Sequence, residues 1–115
     1  MKILLDHCLP RRLKRLFPEH EISSAGEVGW ENLRNGRLLA AAGTKFDVFL
    51  TIDKNLRYQQ NPAKLPISVV VIMAPTNRFE DLAPFAPEIK RTLERLTPGA
   101  LVEVFLPPLQ DLHRA

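Results

Sequence analysis

The chain has 115 residues, 45% of them apolar and 25% charged, which makes one domain long enough to bury roughly two-thirds of its unfolded surface and excludes disorder and a disulfide- or metal-stapled mini-fold. Sixteen basic residues against thirteen acidic ones leave a net charge of +3, which permits contact with nucleic acid without demanding it. The single cysteine, Cys8, forms no internal disulfide, the N-terminal apolar run is too short for a secretory signal, and Val69–Ala74 falls far short of the ~20 apolar residues that span a bilayer, so a cytoplasmic protein with no membrane span is expected.

Ile3-Leu4-Leu5 is a short apolar run ending at an acid, Asp6, and reads as a first strand buried on both faces. Pro10 suits the first turn of a helix, because its missing N–H has no intrahelical partner there. Leu9, Leu13, Leu16 and Phe17 recur at helical spacing, Arg11, Arg12, Lys14 and Arg15 fill the other face, and Pro18 stops the helix. Glu21–Ser24 is a weak second strand. Residues 25–35 form an ordered loop broken by Gly26 and Gly29, and Asn35 is placed to cap a short helix through Leu38, Leu39 and Ala42 that stops at Gly43.

Val48–Ile52 is a third strand, rich in β-branched and aromatic residues, and it leads to Asp53. Ser68–Met73 is continuous and apolar, as a central parallel strand is. Asn77 with Glu80 three residues later resembles a capping box. A helix over Pro87–Leu96 buries Ile89, Leu93 and Leu96, the turn Thr97-Pro98-Gly99 follows, and Ala100–Phe105 is a last strand. The ten prolines punctuate the chain rather than cluster, so a single domain over 1–106 is expected, with a tail over 107–115 that is loose from Gln110 onward. Short apolar strands alternating with helices predict an α/β fold: a three-layer sandwich around a mostly parallel sheet of about five strands. In such sheets ligands bind beyond the carboxyl ends of the strands, which selects the polar residues of interest.

Asp6 follows the first strand and Asp53 the third. Two carboxylates emerging at one sheet edge repel each other unless a cation lies between them, and hard oxygen donors favour Mg²⁺ or Mn²⁺. Such an ion polarises a phosphodiester and activates water. Thr51 and Asn55 stand close enough in sequence to orient Asp53 or a metal-bound water. The same aspartates serve equally as caps of the turns that follow them. Arg11, Arg12, Lys14 and Arg15 form a basic run that either guides an RNA backbone or is the solvated face of the helix. Arg57 and Tyr58, just past Asp53, offer a cation and a stackable ring to single-stranded RNA, or a plain polar loop. Trp30 reads as a packed anchor before a stacking platform, His7 as a loop histidine bonded to backbone before a metal ligand or general base, and Asn77 as a helix cap. A thiol enzyme built on Cys8 lacks a visible triad partner.

The segments Lys2-Ile3-Leu4-Leu5-Asp6-x-x-Leu9-Pro10, Gly29-Trp30 and Leu50-Thr51-x-Asp53-x-Asn55-Leu56 together resemble a PIN-like domain, of a small branch related to VapC-type toxins, from Met1 to about Val104. The resemblance implies a parallel-sheet α/β sandwich, a Mg²⁺- or Mn²⁺-dependent ribonuclease site of clustered acids, RNA as substrate, and membership of a toxin–antitoxin pair with an antitoxin protein as partner. It also implies a homodimer. Asp6 and Asp53 fall on its first-strand and third-strand acidic positions. The chain departs from the pattern at Asp6-His7-Cys8, where Asp-Glu-Asn is usual, and at Arg37, where an acid is usual. Glu27, Glu31, Glu80 and Asp81 are the acids left to replace the missing ones. Two other functions compete with the nuclease: a degenerate PIN-like module that binds RNA or protein without turnover, and a receiver-like phosphoacceptor. The latter is disfavoured by the single acid at the first strand and by the lack of a lysine in Leu101–Pro108.

Overall fold

A computed structural model describes residues 1–107. Five strands, β1 (Lys2–Leu5), β2 (Glu21–Ser24), β3 (Val48–Thr51), β4 (Ser68–Ile72) and β5 (Leu101–Val104), form one sheet in the order β2-β1-β3-β4-β5. All four strand pairings are parallel, so the expected mostly parallel sheet is wholly parallel. Among the described residues four α-helices accompany it: α1 (Asn35–Gly43), α2 (Leu56–Gln59), α3 (Phe79–Leu82) and α4 (Ala86–Arg95).

The period-2 alternation of the strands sorts the core into two halves. Ile3, Leu5, Val48, Leu50, Val70 and Ile72 face a layer made by residues 11–16, α3 and α4, which contributes Leu13, Leu82, Ile89 and Leu93. Leu4, Phe49, Val69 and Val71 face the other layer, where α1 and α2 supply Leu38, Leu39, Ala42 and Leu56. The result is a three-layer α/β sandwich with both sheet faces covered, which explains why β1, β3 and β4 read as unbroken apolar runs. Among the described residues no helix is long and apolar enough to cross a membrane.

The connection from β1 steps outward to β2, and the next one steps back across β1 to β3. The strand order therefore reverses between β1 and β3, the place where sheets of this kind open a crevice. The β4-to-β5 connection steps in the same direction as β3-to-β4 but runs over the opposite face, so the two have opposite hands. Such a reversal is uncommon. Here it brings α4 onto the face that the six residues of 11–16 are too short to cover alone.

Several elements differ from expectation. The basic segment is a 3-10 helix over Arg11–Leu16, with Pro10 preceding it instead of standing in its first turn. Phe17 precedes Pro18 and is driven out of the helical region, to φ −130° and ψ 60°, so no room remains for a longer α-helix. The helix α1 begins at Asn35, with Arg34 in the cap position. Gly43 is its last residue, and a Cβ there would meet the Pro66 carbonyl oxygen at 2.6 Å; close approach of backbone, not a left-handed turn, explains the glycine. Strands β3, β4 and β5 end one residue earlier than expected, at Thr51, Ile72 and Val104, and β5 begins at Leu101. The helix α2 is an addition, in a stretch read as a polar loop. The capping box of Asn77 and Glu80 does not form. Instead Thr76 Oγ1 bonds Asp81 and accepts the Arg78 N–H at 3.1 Å, while Asn77 Nδ2 donates to the Cys8 carbonyl at 3.0 Å and ties the β4 loop to the β1 loop. The expected loose tail, 110–115, lies outside the described residues.

Candidate functional site

The pairing of Leu5 with Leu50 puts Asp6 level with Thr51 at the carboxyl edge of the sheet. The Asp6 N–H continues the ladder to the Leu50 carbonyl at 3.0 Å, which fixes the aspartate's backbone as firmly as a strand residue. Its side chain accepts from three donors. Oδ1 takes the His7 N–H at 2.7 Å, and Oδ2 takes the Thr51 hydroxyl at 2.7 Å and the Cys8 thiol at 3.7 Å.

Thr51 is wholly buried, and its hydroxyl works in both directions: it donates to Asp6 and accepts the Asp53 N–H at 3.0 Å. One side chain thus joins the end of β1 to the turn after β3. Asp53 Oδ1 accepts the Asn55 N–H at 3.0 Å, a turn closed by an aspartate on its own backbone. Asn55 therefore orients Asp53 through its backbone. Its side chain makes no cap for α2.

Asp6 and Asp53 line the same cleft, of about 200 Å³, together with His7, Cys8, Arg34, Leu38, Leu39, Phe49 and Leu56. The floor is apolar and comes from α1, α2 and β3. Arg34 is the cleft's cation. Its Nη1 donates to the carbonyls of Glu31 at 2.5 Å and Leu33 at 2.9 Å, and stands 3.1 Å from His7 Nε2. The same ring nitrogen lies 3.0 Å from the Leu33 carbonyl, so the histidine tautomer decides which of the two contacts is a hydrogen bond. His7 is thus bonded to backbone or to Arg34. Burial, and then the Asp6 charge, push the Cys8 thiol above its ordinary pKa, which disfavours the reactive thiolate.

The other sequence candidates scatter. Arg37 is exposed on α1 and does not line the cleft. None of the four spare acids lines it either. Glu27 pairs with Lys14 and accepts the Ser24 N–H at 2.9 Å, and these partners, Lys14 above all, hold its carboxyl down to about 2. Glu80 and Asp81 pair with Arg78, and Asp81 is held below the usual carboxylate range chiefly by the Thr76 hydroxyl. Glu31 contributes only its carbonyl, to Arg34.

The basic run belongs to the layer opposite α1 and α2. Lys14 is taken up by Glu27, and the Arg12 guanidinium lies 4.7 Å from the centre of the Phe79 ring. Among the described residues Arg11 and Arg15 make no ion pair. Arg57 is bound to Glu103 on β5 at 2.8 Å, whereas Tyr58 beside it is 81% exposed. Trp30 packs edge-on against Phe46 at 6.0 Å, an anchor of the α1-side core.

Among the described residues no group of three or more His, Cys, Asp and Glu side chains is placed to hold a metal ion. The carboxylates that line the cleft are those of Asp6 and Asp53, each with unused lone pairs. That set suits Mg²⁺ or Mn²⁺, which keep several waters and take one or two carboxylates plus substrate phosphate, and does not suit a closed zinc site. Arg34 was the residue the sequence concealed: nothing in its spacing separates it from Arg37, and only the fold of the 25–34 loop turns it toward the acids. No family model, curated protein or solved structure matches the chain.

Proposed function

We propose that the chain is a PIN-like, metal-dependent ribonuclease that works at the cleft between the ends of β1 and β3. The observation that carries this reading is that Asp6 and Asp53, 47 positions apart in sequence, line one cleft and share Thr51 as a common hydrogen-bond partner. The sequence resemblance supports it, since the same two aspartates fall on the family's acidic positions. Asp6 and Asp53 would hold a Mg²⁺ or Mn²⁺ ion. When bound, the ion polarises the phosphate and lowers the pKa of a water. Thr51 holds the Asp6 carboxylate in place by donating to it, and the Asn55 N–H does the same for Asp53. The apolar floor of Leu38, Leu39, Phe49 and Leu56 keeps bulk water from the back of the cleft. RNA is the substrate on this reading, and an antitoxin protein and a second copy of the chain are its partners.

A second reading has its own observation: the third acid is missing from the cleft and Arg34 stands in it. A module that binds RNA or protein without cutting follows from that. Titration calorimetry with Mn²⁺ and a cleavage assay on single-stranded RNA separate the two. Mn²⁺ binding with cleavage that disappears in Asp6→Asn and Asp53→Asn supports the nuclease. RNA bound intact in Mn²⁺ and Mg²⁺ supports the module and overturns the nuclease.

A further inference from the structure

We propose that Arg34 is the phosphate-binding residue of this cleft. The proposal rests on the reading that the cleft handles RNA and names the part of RNA it takes.

Arg34 lines the same cleft as Asp6 and Asp53, yet among the described residues it makes no ion pair with either or with any other acid. A long cationic side chain beside two carboxylates ordinarily collapses onto them. Here the Leu33 and Glu31 carbonyls hold it back through Nη1, which also stands 3.1 Å from His7 Nε2. A guanidinium carries five N–H donors in a fixed fork. With Nη1 engaged, the Nη2 and Nε edge keeps the pair of parallel donors that matches two phosphate oxygens. The acids are likewise left un-neutralised by protein. The cleft therefore presents separated negative and positive groups, and the ligand complementary to both is a cation together with an anionic phosphate.

A guanidinium seated on phosphate oxygens fixes the backbone and touches no base edge, so this contact carries no sequence information.

The test is fluorescence anisotropy of the whole protein with short labelled single-stranded RNAs of different base composition, in Ca²⁺ so that strands stay intact, across a salt series. Arg34→Ala is expected to weaken binding on the order of tenfold, equally for every base composition, and to reduce the slope of log affinity against log salt by about 0.7. Arg34→Lys keeps the charge and so is expected to keep the slope while losing part of the affinity, and it guards against misfolding of the alanine variant. Unchanged affinity and slope in Arg34→Ala, a loss that depends on base identity, or no RNA binding by the unmodified protein would each overturn the proposal. Failure here is separable from failure of the nuclease reading. Asp53-dependent cleavage that survives Arg34→Ala leaves the nuclease and removes the phosphate anchor, and Arg34-dependent binding without cleavage does the reverse.

Discussion

Thr51 donates its hydroxyl proton to the Asp6 carboxylate across the seam between β1 and β3, at 2.7 Å, with no part of the threonine exposed to solvent. The same oxygen accepts the Asp53 N–H. Threonine is common on strands for its branched shape, but a valine would fill that shape as well. What valine lacks is the group that holds two distant aspartates in register.

Thr51→Val is therefore expected to destabilise the fold by about 1–3 kcal/mol, since it leaves a partly buried N–H without its acceptor and a carboxylate without its shortest side-chain donor. Thr51→Ser restores the hydroxyl and is expected to recover most of that loss. Urea unfolding of the three proteins measures it. A valine variant within about 0.5 kcal/mol of the parent would show that the bond contributes nothing measurable.

Burial first, and then the Asp6 charge, hold the Cys8 thiol above its ordinary pKa. Only the thiolate reacts with iodoacetamide, so alkylation is expected to be slow near neutral pH. Asp6→Asn removes the neighbouring charge and is expected to move the rate profile to lower pH. Cys8 is the chain's one cysteine, so mass spectrometry reads the reaction without ambiguity. Identical profiles for the two proteins would place the carboxylate away from the sulfur.

Glu27 supplies a pH signature of the fold itself. Its folded pKa, about 2, lies below the ordinary 4.5, because Lys14 and the Ser24 N–H favour the ionised form. A depressed folded pKa contributes stability that is present above the unfolded value and is lost as the folded value is passed on acidification. Glu27→Gln is thus expected to lower the melting temperature at pH 6, with the difference shrinking between pH 4.5 and pH 2. High salt should reduce the difference too, since the pair is partly exposed to solvent. A gap of equal size at pH 2 would mean that the glutamate acts through something other than its charge.

Much of this protein was legible in the linear chain. Ile3–Leu5, Val48–Leu50 and Ser68–Ile72 announce buried parallel strands because a sheet covered on both faces tolerates no polar alternation, and a polar residue can stand only where the strand leaves the core. That rule alone puts Asp6 and Asp53 at one edge. The α/β architecture and the identity of the two acids follow from it. The tertiary structure decided everything that depends on direction. It turned Arg34, not Arg37, into the cleft, coupled Glu27 to Lys14 instead of to the acids, seated Arg12 on Phe79, and aimed the Thr51 hydroxyl at Asp6. It also shortened the basic segment to a 3-10 helix and folded residues 56–59 into a helix. The physical reason is that burial periodicity is written by neighbours three or four positions away, whereas the partner of a polar side chain is chosen by loops that bring together residues dozens of positions apart, and no local pattern records that choice.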